Sequence, residues 1–308
     1  MTISDFRVVV LGMGVQGKKR AKFAFNDLVA KVDVDKSNLD ADYNKLSDIN
    51  HKDYDAVLLC TPDDIKFEIL KEILNSRKHV LVEKPLFVKN KKELVELQNL
   101  ANSNNVVLYT AYNHRFEPHF INMKNLLINK GLGKIFRLRM FYGNGTSGLV
   151  KQSEWRDQGS GVVLDIGSHL LDTLIFWFGE KKIKIRDINK FKFENLSPDH
   201  AILTGKIDNI YIELEVSLLS WKNDFICDII GSKGSAHISS LCKWGPSKFI
   251  TRKRVLPAGK PDENIITLTQ SDPTWEQEYI YFKQLVKNKE NTDLSSDMEI
   301  FNILKSSI

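Results

Sequence analysis

A glycine-rich run near the start of the chain has the spacing of a phosphate-binding turn. It fits the pattern GxGxxG and reads Gly12-Met13-Gly14-Val15-Gln16-Gly17. The run follows a β-branched stretch, residues 7–11, and precedes the helix-like KKRAKFAFNDL. Glycines at this spacing allow a tight turn, close approach of the backbone to a pyrophosphate and close packing of helix on strand. Because a helix N-terminus also binds phosphates through free N–H groups, the run predicts a dinucleotide site formed by Gly12, Gly14, Val15, Gln16 and Gly17.

A carboxylate at the end of the next predicted strand indicates which dinucleotide is expected. Asp33 lies 21 residues after Gly12, where a carboxylate can accept hydrogen bonds from ribose hydroxyls. It would repel a 2′-phosphate, so NAD is favoured over NADP. Asp35 competes with Asp33 for this role, and Lys36 keeps NADP open as the alternative cofactor.

Residues at or just after the ends of the third and fourth predicted strands lie at the carboxyl edge of the sheet, where ligands bind in such folds. We predict cofactor contacts from five of them: Cys60, Thr61, Pro62, Glu83 and Lys84. Lys84 would reach the nicotinamide. Taken alone, each has a simpler interpretation, because Cys60 fits a small core residue and the Thr-Pro and Lys-Pro pairs fit ordinary turns.

A second group of chemically able residues lies near the middle of the chain. Asp165 and His169 are spaced i, i+4, so a helix would place both on one face. Standing alone, the pair is equally well a structural cap. It has too few ligands for zinc, and the three cysteines form no CxxC pair, so no metal is expected.

The first third of the chain alternates predicted strands and helices. The strands are apolar runs at residues 7–11, 29–34, 56–60, 79–82 and 106–110, and helical patterns cover residues 65–75 and 91–102. Continuous apolar strands separated by helices indicate a parallel sheet covered on both faces. We therefore predict an α/β, doubly wound Rossmann domain at residues 1–112.

The pattern changes after residue 112. Alternating strands at residues 135–142, 201–207, 211–219 and 225–230 accompany helical segments at 120–129 and 167–178. Alternation without intervening helices predicts a large, mainly antiparallel open sheet with helices on one face. We assign residues 113–308 to this α+β domain, including the closing helical patterns at 275–286 and 298–305.

Bulk properties exclude several classes of protein. The 308 residues suit two domains, and the contents of 42% hydrophobic and 27% charged residues are typical of soluble globular proteins. An apolar stretch begins at residue 6, which leaves no room for a signal peptide, and residues 170–178 fall short of the roughly 20 that a membrane span needs. We expect a cytoplasmic protein without membrane contact. The net charge of +5 comes without a basic face or motif, so no nucleic-acid partner is expected.

The ordered series of motifs resembles the Gfo/Idh/MocA oxidoreductases, the family of glucose-fructose oxidoreductase and inositol dehydrogenase. The matching segments are GMGVQG at 12–17, CTP at 60–62, EKP at 83–85, NHRFEP at 113–118, GLGKI at 131–135, WR at 155–156, GSGVVLDIGSHLLD at 159–172 and GSKGS at 231–235. Each motif alone is weak, but the order is specific and covers nearly the whole chain.

The resemblance implies catalytic roles for Lys84, Asp165 and His169 around the reacting carbon. Alcohol oxidation needs a base for the hydroxyl proton while a hydride leaves the same carbon, and histidine titrates near neutral pH. We favour His169 as the proton acceptor and Lys84 as its electrostatic partner, although the sequence does not separate these roles. Asp165 would orient the substrate or hold the imidazole.

The resemblance also implies further contacts and partners. Candidates for substrate contact are Tyr112, Asn113, Arg115 and Arg156, each with a hinge or salt-bridge role as the equal alternative. The substrate would be a sugar, nucleotide sugar or inositol. Association through the sheet of the second domain would give a homodimer or homotetramer. Alternative functions are an NAD-dependent glycosidase and a non-catalytic dinucleotide-sensing regulator, and retention of the three catalytic candidates argues against the regulator.

Three departures from the family pattern bear on these expectations. The chain is short between Asp35 and Asp55, so we expect a helix or strand to be trimmed there. Lys66 stands where the family often carries histidine, and Ser160 replaces the middle glycine of a common GGG.

Overall fold

The computed structural model describes residues 6–86, 88–153, 156–179 and 182–305. Trp155 of the WR motif lies outside the described residues. The chain divides into two compact units. The first comprises Met1–Asn113 and Trp275–Phe301, and the second His114–Thr274 and Asn302–Ile308.

The first unit contains a parallel sheet of five strands. They are β1 (Val8–Leu11), β2 (Leu28–Val32), β3 (Ala56–Leu59), β4 (His79–Glu83) and β5 (Leu108–Ala111), in the order β2-β1-β3-β4-β5. Every residue of β1, β3 and β5 is buried, as expected for strands covered on both faces. The predicted doubly wound Rossmann architecture is confirmed.

Three helices accompany these strands: α1 (Val15–Ala24), α2 (Asp63–Asn75) and α3 (Lys91–Ser103). Asn90 starts α3 as its N-cap, because its side-chain oxygen accepts from the N–H groups of Lys92 and Glu93. Between β2 and β3 the chain forms only two 3₁₀ turns, Leu46–Asp48 and His51–Asp53, and no α-helix. This connection thus carries no regular helix, and its trimming relative to the family pattern stays a prediction.

A C-terminal segment that we assigned to the second domain belongs to the first unit. It carries α7 (Thr274–Asn288) and most of α8 (Ser295–Lys305). Tyr279 and Phe282 pack in one core cluster with Val8 and Val10, while Leu294 and Phe301 join the core on the other side of the sheet. The periodicity predicts these helices but not the surface that they cover, which explains the difference from the predicted boundary.

The second unit is built on an eight-stranded sheet in the order β13-β12-β11-β10-β6-β9-β8-β7. The strands are β6 (Ile135–Gly143), β7 (Ile183–Phe191), β8 (His200–Ile207), β9 (Ile210–Ser217), β10 (Asp224–Gly231), β11 (Gly234–Ser239), β12 (Ser247–Lys253) and β13 (Glu263–Leu268). All neighbours are antiparallel except β6 and β9, which are parallel, so the predicted open, mainly antiparallel sheet is confirmed.

Helices cover one face of this sheet. They are α4 (Pro118–Ile128), α5 (Ser147–Lys151) and α6 (Ser168–Phe178). The Phe120 ring of α4 contacts Trp177 of α6 and Phe225 of β10, with centroids 5.3 and 5.0 Å apart. Along β6, β9 and β10, buried residues alternate with more exposed ones, several of them charged, which lie on the opposite, outer face of the sheet. In the described ranges, no helix combines the length and apolarity needed to span a bilayer.

Candidate functional site

The turn between β1 and α1 requires glycine at two positions of the GxGxxG run. Gly12 has a φ of +94°, and a Cβ there would lie 2.8 Å from the Cys60 carbonyl oxygen. A Cβ on Gly17 would collide with the Gly12 carbonyl. Gly12 thus lets the end of β3 approach, and Gly17 lets α1 pack on β1.

The packing around Gly14 does not explain why this position is a glycine. Its φ is −70°, which any residue adopts, and apart from its neighbours in the chain no described atom lies within 4 Å of the position of a Cβ. Gly14 directly precedes α1, whose first residues, Val15 and Gln16, are exposed and whose N-terminus has no side-chain cap. A bare helix N-terminus beside open space suits a phosphate group.

Asp33 ties the glycine turn to the end of β2. Its Oδ2 accepts from the Met13 N–H at 2.7 Å and from the Asn38 side chain at 3.2 Å, and its Oδ1 accepts from the Asp35 N–H at 3.0 Å. A carboxylate oxygen can accept two hydrogen bonds, and only one is described for Oδ1, so a ribose hydroxyl can still bind there.

The competing carboxylate of Asp35 is turned into a local loop. Its Oδ1 accepts from the Ser37 hydroxyl at 2.6 Å and the Ser37 N–H at 2.9 Å, and these bonds lower the pKa of Asp35 below its ordinary value. Of the two residues, the geometry therefore favours Asp33 as the ribose ligand.

The end of β3 adds an orphan polar group to the same edge. The Thr61 hydroxyl is buried and has no hydrogen-bond partner among the described residues. Cys60 bonds through its N–H to the Leu11 carbonyl at 2.8 Å, and burial raises the pKa of its thiol, which keeps it neutral. Pro62 begins α2 as its N-cap. The open space at Gly14, the bare helix end and the Thr61 hydroxyl together fit a dinucleotide.

The end of β4 carries Glu83 and Lys84. The buried Glu83 carboxylate accepts from Arg20 Nε at 2.6 Å, and Arg20 also pairs with Glu278 and lies 4.3 Å from the centre of the Trp275 ring. Glu83 thus contacts Arg20, and its predicted contact with the cofactor stays a prediction. Lys84 is partly exposed immediately after the strand.

Sequence reasoning noted Lys66 only as a departure from the family pattern. Its ammonium is buried on α2 and donates to the carbonyl oxygens of Glu83 and Pro85, which flank Lys84. The available signal was the i, i+3 spacing of Asp63 and Lys66, which forms an ion pair of 2.6 Å.

In the second unit, Asp165 lies in a π-helical turn, Val163–Gly167, which leads directly into α6. The expected regular helix is therefore widened by one residue at Asp165, an irregularity that is frequent at functional sites. The side chain of Asp165 is 43% exposed and pairs with Arg156, whose Nη2 lies 3.4 Å from Oδ2. The structure thus brings together a predicted catalytic residue and a predicted substrate contact.

His169 is the second residue of α6 and is almost buried. Its ring stacks on that of His114, with centroids 4.0 Å apart and planes 18° apart, and His114 in turn stacks on Tyr142 at 5.5 Å. The stack fixes the plane of the His169 imidazole. His114 had been missed, although it lies between the assigned Asn113 and Arg115 in the NHRFEP motif.

The other substrate candidates are placed differently. Arg115 Nε donates to both carboxylate oxygens of Asp172 at 3.1 and 3.0 Å, which is the salt-bridge alternative. Burial raises the pKa of Asp172, and the Arg115 guanidinium opposes that rise. Tyr112 and Asn113 are buried at the end of β5 in the first unit.

Comparison with known families follows the same division of the chain. Residues 6–112 match the oxidoreductase family with the NAD-binding Rossmann fold, and residues 120–237 match the GFO/IDH/MocA C-terminal domain. The chain belongs to the Gfo/Idh/MocA oxidoreductase family.

Individual relatives match only part of this chain. An uncharacterized oxidoreductase of Schizosaccharomyces pombe is 33% identical over 141 residues, which cover 44% of this chain and 37% of that protein. Glucose-6-phosphate 3-dehydrogenase of Bacillus subtilis is 25% identical over 210 residues, which cover 61% of this chain and 60% of the enzyme. In both cases the match spans less than two thirds of the relative's length.

A solved structure shows the same fold. The crystal structure of an inositol dehydrogenase homolog from Azotobacter vinelandii, complexed with NADH and myo-inositol, has a TM-score of 0.81 at 17% identity. The match covers 98% of this chain and 94% of that chain. At this identity the likeness concerns the fold alone.

Proposed function

We propose that this protein is an NAD(P)-dependent oxidoreductase acting on a hydroxyl or keto carbon of a sugar, nucleotide sugar or inositol. The observation that carries the proposal is Gly14, which the packing of the described residues leaves free of contacts beside the uncapped start of α1. The buried Thr61 hydroxyl supports it. The substrate class rests on the names of the relatives, one a glucose-6-phosphate 3-dehydrogenase and one an inositol dehydrogenase homolog.

In this proposal the chain's own residues handle the proton and the orientation of the substrate. A bound nicotinamide supplies the hydride acceptor or donor. His169, held in plane by His114, takes the hydroxyl proton at a ring nitrogen. The Lys84 ammonium stabilises the alkoxide that develops as the proton leaves. Asp165, partly exposed and paired with Arg156, accepts hydrogen bonds from neighbouring hydroxyls of the substrate.

The test is a panel of sugars, nucleotide sugars and inositols, each incubated with NAD or NADP and followed by the absorbance of the reduced cofactor. We expect at least one to reduce the cofactor. Release of a free sugar without net reduction would instead support a glycosidase, and dinucleotide binding without turnover of any substrate would support a regulator.

Lys84→Ala tests the assignment of the lysine. We expect it to abolish turnover while the Kd for the dinucleotide, measured by titration calorimetry, stays nearly the same. Lys89→Ala is the matched control, because Lys89 is an exposed lysine of the same connection and should behave as wild type. Turnover that persists in Lys84→Ala would remove Lys84 from the chemistry.

We further propose that copies of the chain associate through the outer face of the eight-stranded sheet. Three apolar side chains on it are close to half exposed: Tyr211, Ile226 and Ile230. Beside them Arg139 pairs with Glu213 and Glu215. A face that carries both charges next to apolar groups can complement a second copy of itself.

A further inference from the structure

Lys66 is a charged side chain buried in the first unit, and the proposed reaction does not use it. Only 2% of the residue is exposed. Its Nζ donates to Asp63 Oδ1 at 2.6 Å, to the Glu83 carbonyl at 2.7 Å and to the Pro85 carbonyl at 3.2 Å. An ammonium has three donors, and all three are used.

Burying an ammonium is unfavourable unless each donor is satisfied, so this arrangement constrains its acceptors. Asp63 is in the first turn of the same helix, so its bond with Lys66 does not connect the helix to another element. The two carbonyls belong to Glu83, the last residue of β4, and to Pro85 in the connection that follows the strand. If they moved away, the ammonium would lose two of its three partners inside the protein.

The two carbonyls flank a single residue, Lys84. The pairing of β4 with β5 ends at Glu83, so Lys84 is the first residue beyond the described ladder. Lys66 bonds to the backbone immediately before and immediately after it. These two bonds hold the backbone at the point where the pairing between β4 and β5 ends.

We propose that Lys66 is a positioning residue, which holds the backbone of Lys84 so that the Lys84 side chain leaves the sheet edge in one direction. The link to chemistry rests on the proposed function, because only that function gives Lys84 a reacting partner. That Lys66 holds the backbone of Lys84 does not depend on the proposed function.

The test compares Lys66→Met, Lys66→Arg and the control Lys71→Met. Lys71 lies on the same helix, but its ion pair with Glu96 is at the surface. The rate of amide hydrogen exchange in the peptide covering residues 80–86 measures how firmly the backbone around Lys84 is held. Dinucleotide Kd, kcat and KM report its consequence, measured on the substrate that the panel identifies.

In Lys66→Met we expect faster exchange in this peptide and a fall in kcat of about 100-fold, since small displacements of a catalytic group cost this much, with KM and the dinucleotide Kd nearly unchanged. Lys66→Arg, which keeps the charge and several donors, should recover most of kcat. Lys71→Met should match wild type in every measurement.

Unchanged exchange at residues 80–86, or a fall in activity that appears in KM or Kd rather than kcat, would overturn the proposal. If Lys66→Met does not fold, Lys66→Gln gives the same decision, because glutamine fills a similar volume and keeps only one amide donor group. If wild type turns over no substrate, the proposed function fails, while the exchange experiment still decides whether Lys66 holds this segment.

Discussion

At the scale of single residues, Asp33 has a structural role beside the recognition role that we propose for it. It holds the glycine turn through the Met13 N–H and keeps capacity for a ribose. Asp35, two positions later, bonds instead to Ser37. The two carboxylates thus differ in their partners, although the sequence alone left them as competitors. This difference can be measured.

We expect Asp33→Ala to weaken NAD roughly tenfold or more, the loss that about 1.5–3 kcal/mol of charged hydrogen bonding implies. NADP should weaken less, because the repulsion of its 2′-phosphate disappears with the carboxylate. Kd values for both dinucleotides, from fluorescence titration, give the ratio. Asp35→Ala is the control and should leave the ratio as in wild type. A ratio that changes in Asp35→Ala and not in Asp33→Ala would move the ribose contact to Asp35.

At the scale of elements, the edge of the parallel sheet is completed by a residue far along the chain. The Thr292 hydroxyl accepts from the Leu108 N–H of β5 at 2.8 Å and lies 3.3 Å from the Val106 carbonyl. The Asn102 side chain bonds to both backbone groups of Thr292. The segment between α7 and α8 therefore acts as a cover for β5.

Thr292→Val should lower the free energy of unfolding by about 1–3 kcal/mol, because it leaves the buried Leu108 N–H without its acceptor at nearly constant volume. Urea denaturation followed by circular dichroism measures the change. Thr204→Val, on the outer face of the second sheet, should change stability by less than about 0.5 kcal/mol. Equal effects of the two substitutions would contradict the role given to Thr292.

How far the sequence predicts an element depends on where that element is buried. Strands β1 and β3 are covered on both faces, so they leave continuous apolar runs that identify them. Four strands of the second unit were not predicted: β7, β11, β12 and β13. In β13 five of the six residues are exposed, so the strand shows no alternation of buried and exposed positions. The π-helical turn at Asp165 was also missed, since the i, i+4 spacing of Asp165 and His169 was interpreted as a regular α-helix.

The candidate site shows the same limit. The order of motifs selected Lys84, Asp165 and His169. The residues that hold them depend on contacts between distant parts of the chain. Lys66 meets the carbonyls of Glu83 and Pro85 across 17 and 19 positions, and the ring of His114 reaches His169 only after both have folded against β6.

At the scale of the whole molecule, the proposed association of copies through the outer face of the eight-stranded sheet can be tested by one substitution. Ile226→Asp places a charge at the centre of that face, on β10, and should shift the protein toward monomer because a buried unpaired carboxylate is unfavourable. Light scattering after size exclusion gives the mass. Ile128→Asp, an exposed isoleucine at the end of α4, is the control and should leave the mass as in wild type. A wild-type protein that is already monomeric at micromolar concentration would refute the association.

The late return of Trp275–Phe301 to the first unit has a consequence for biosynthesis. Chains leave the ribosome N-terminus first, yet the core around β1 lacks Tyr279, Phe282, Leu294 and Phe301 until residue 301 has emerged. The strands of the second sheet all end by Leu268, so that sheet can close earlier. The core of the parallel sheet, whose strands are translated first, is therefore completed only after every strand of the second sheet has been made, and a nascent chain stalled before residue 275 would expose the Rossmann core to chaperones.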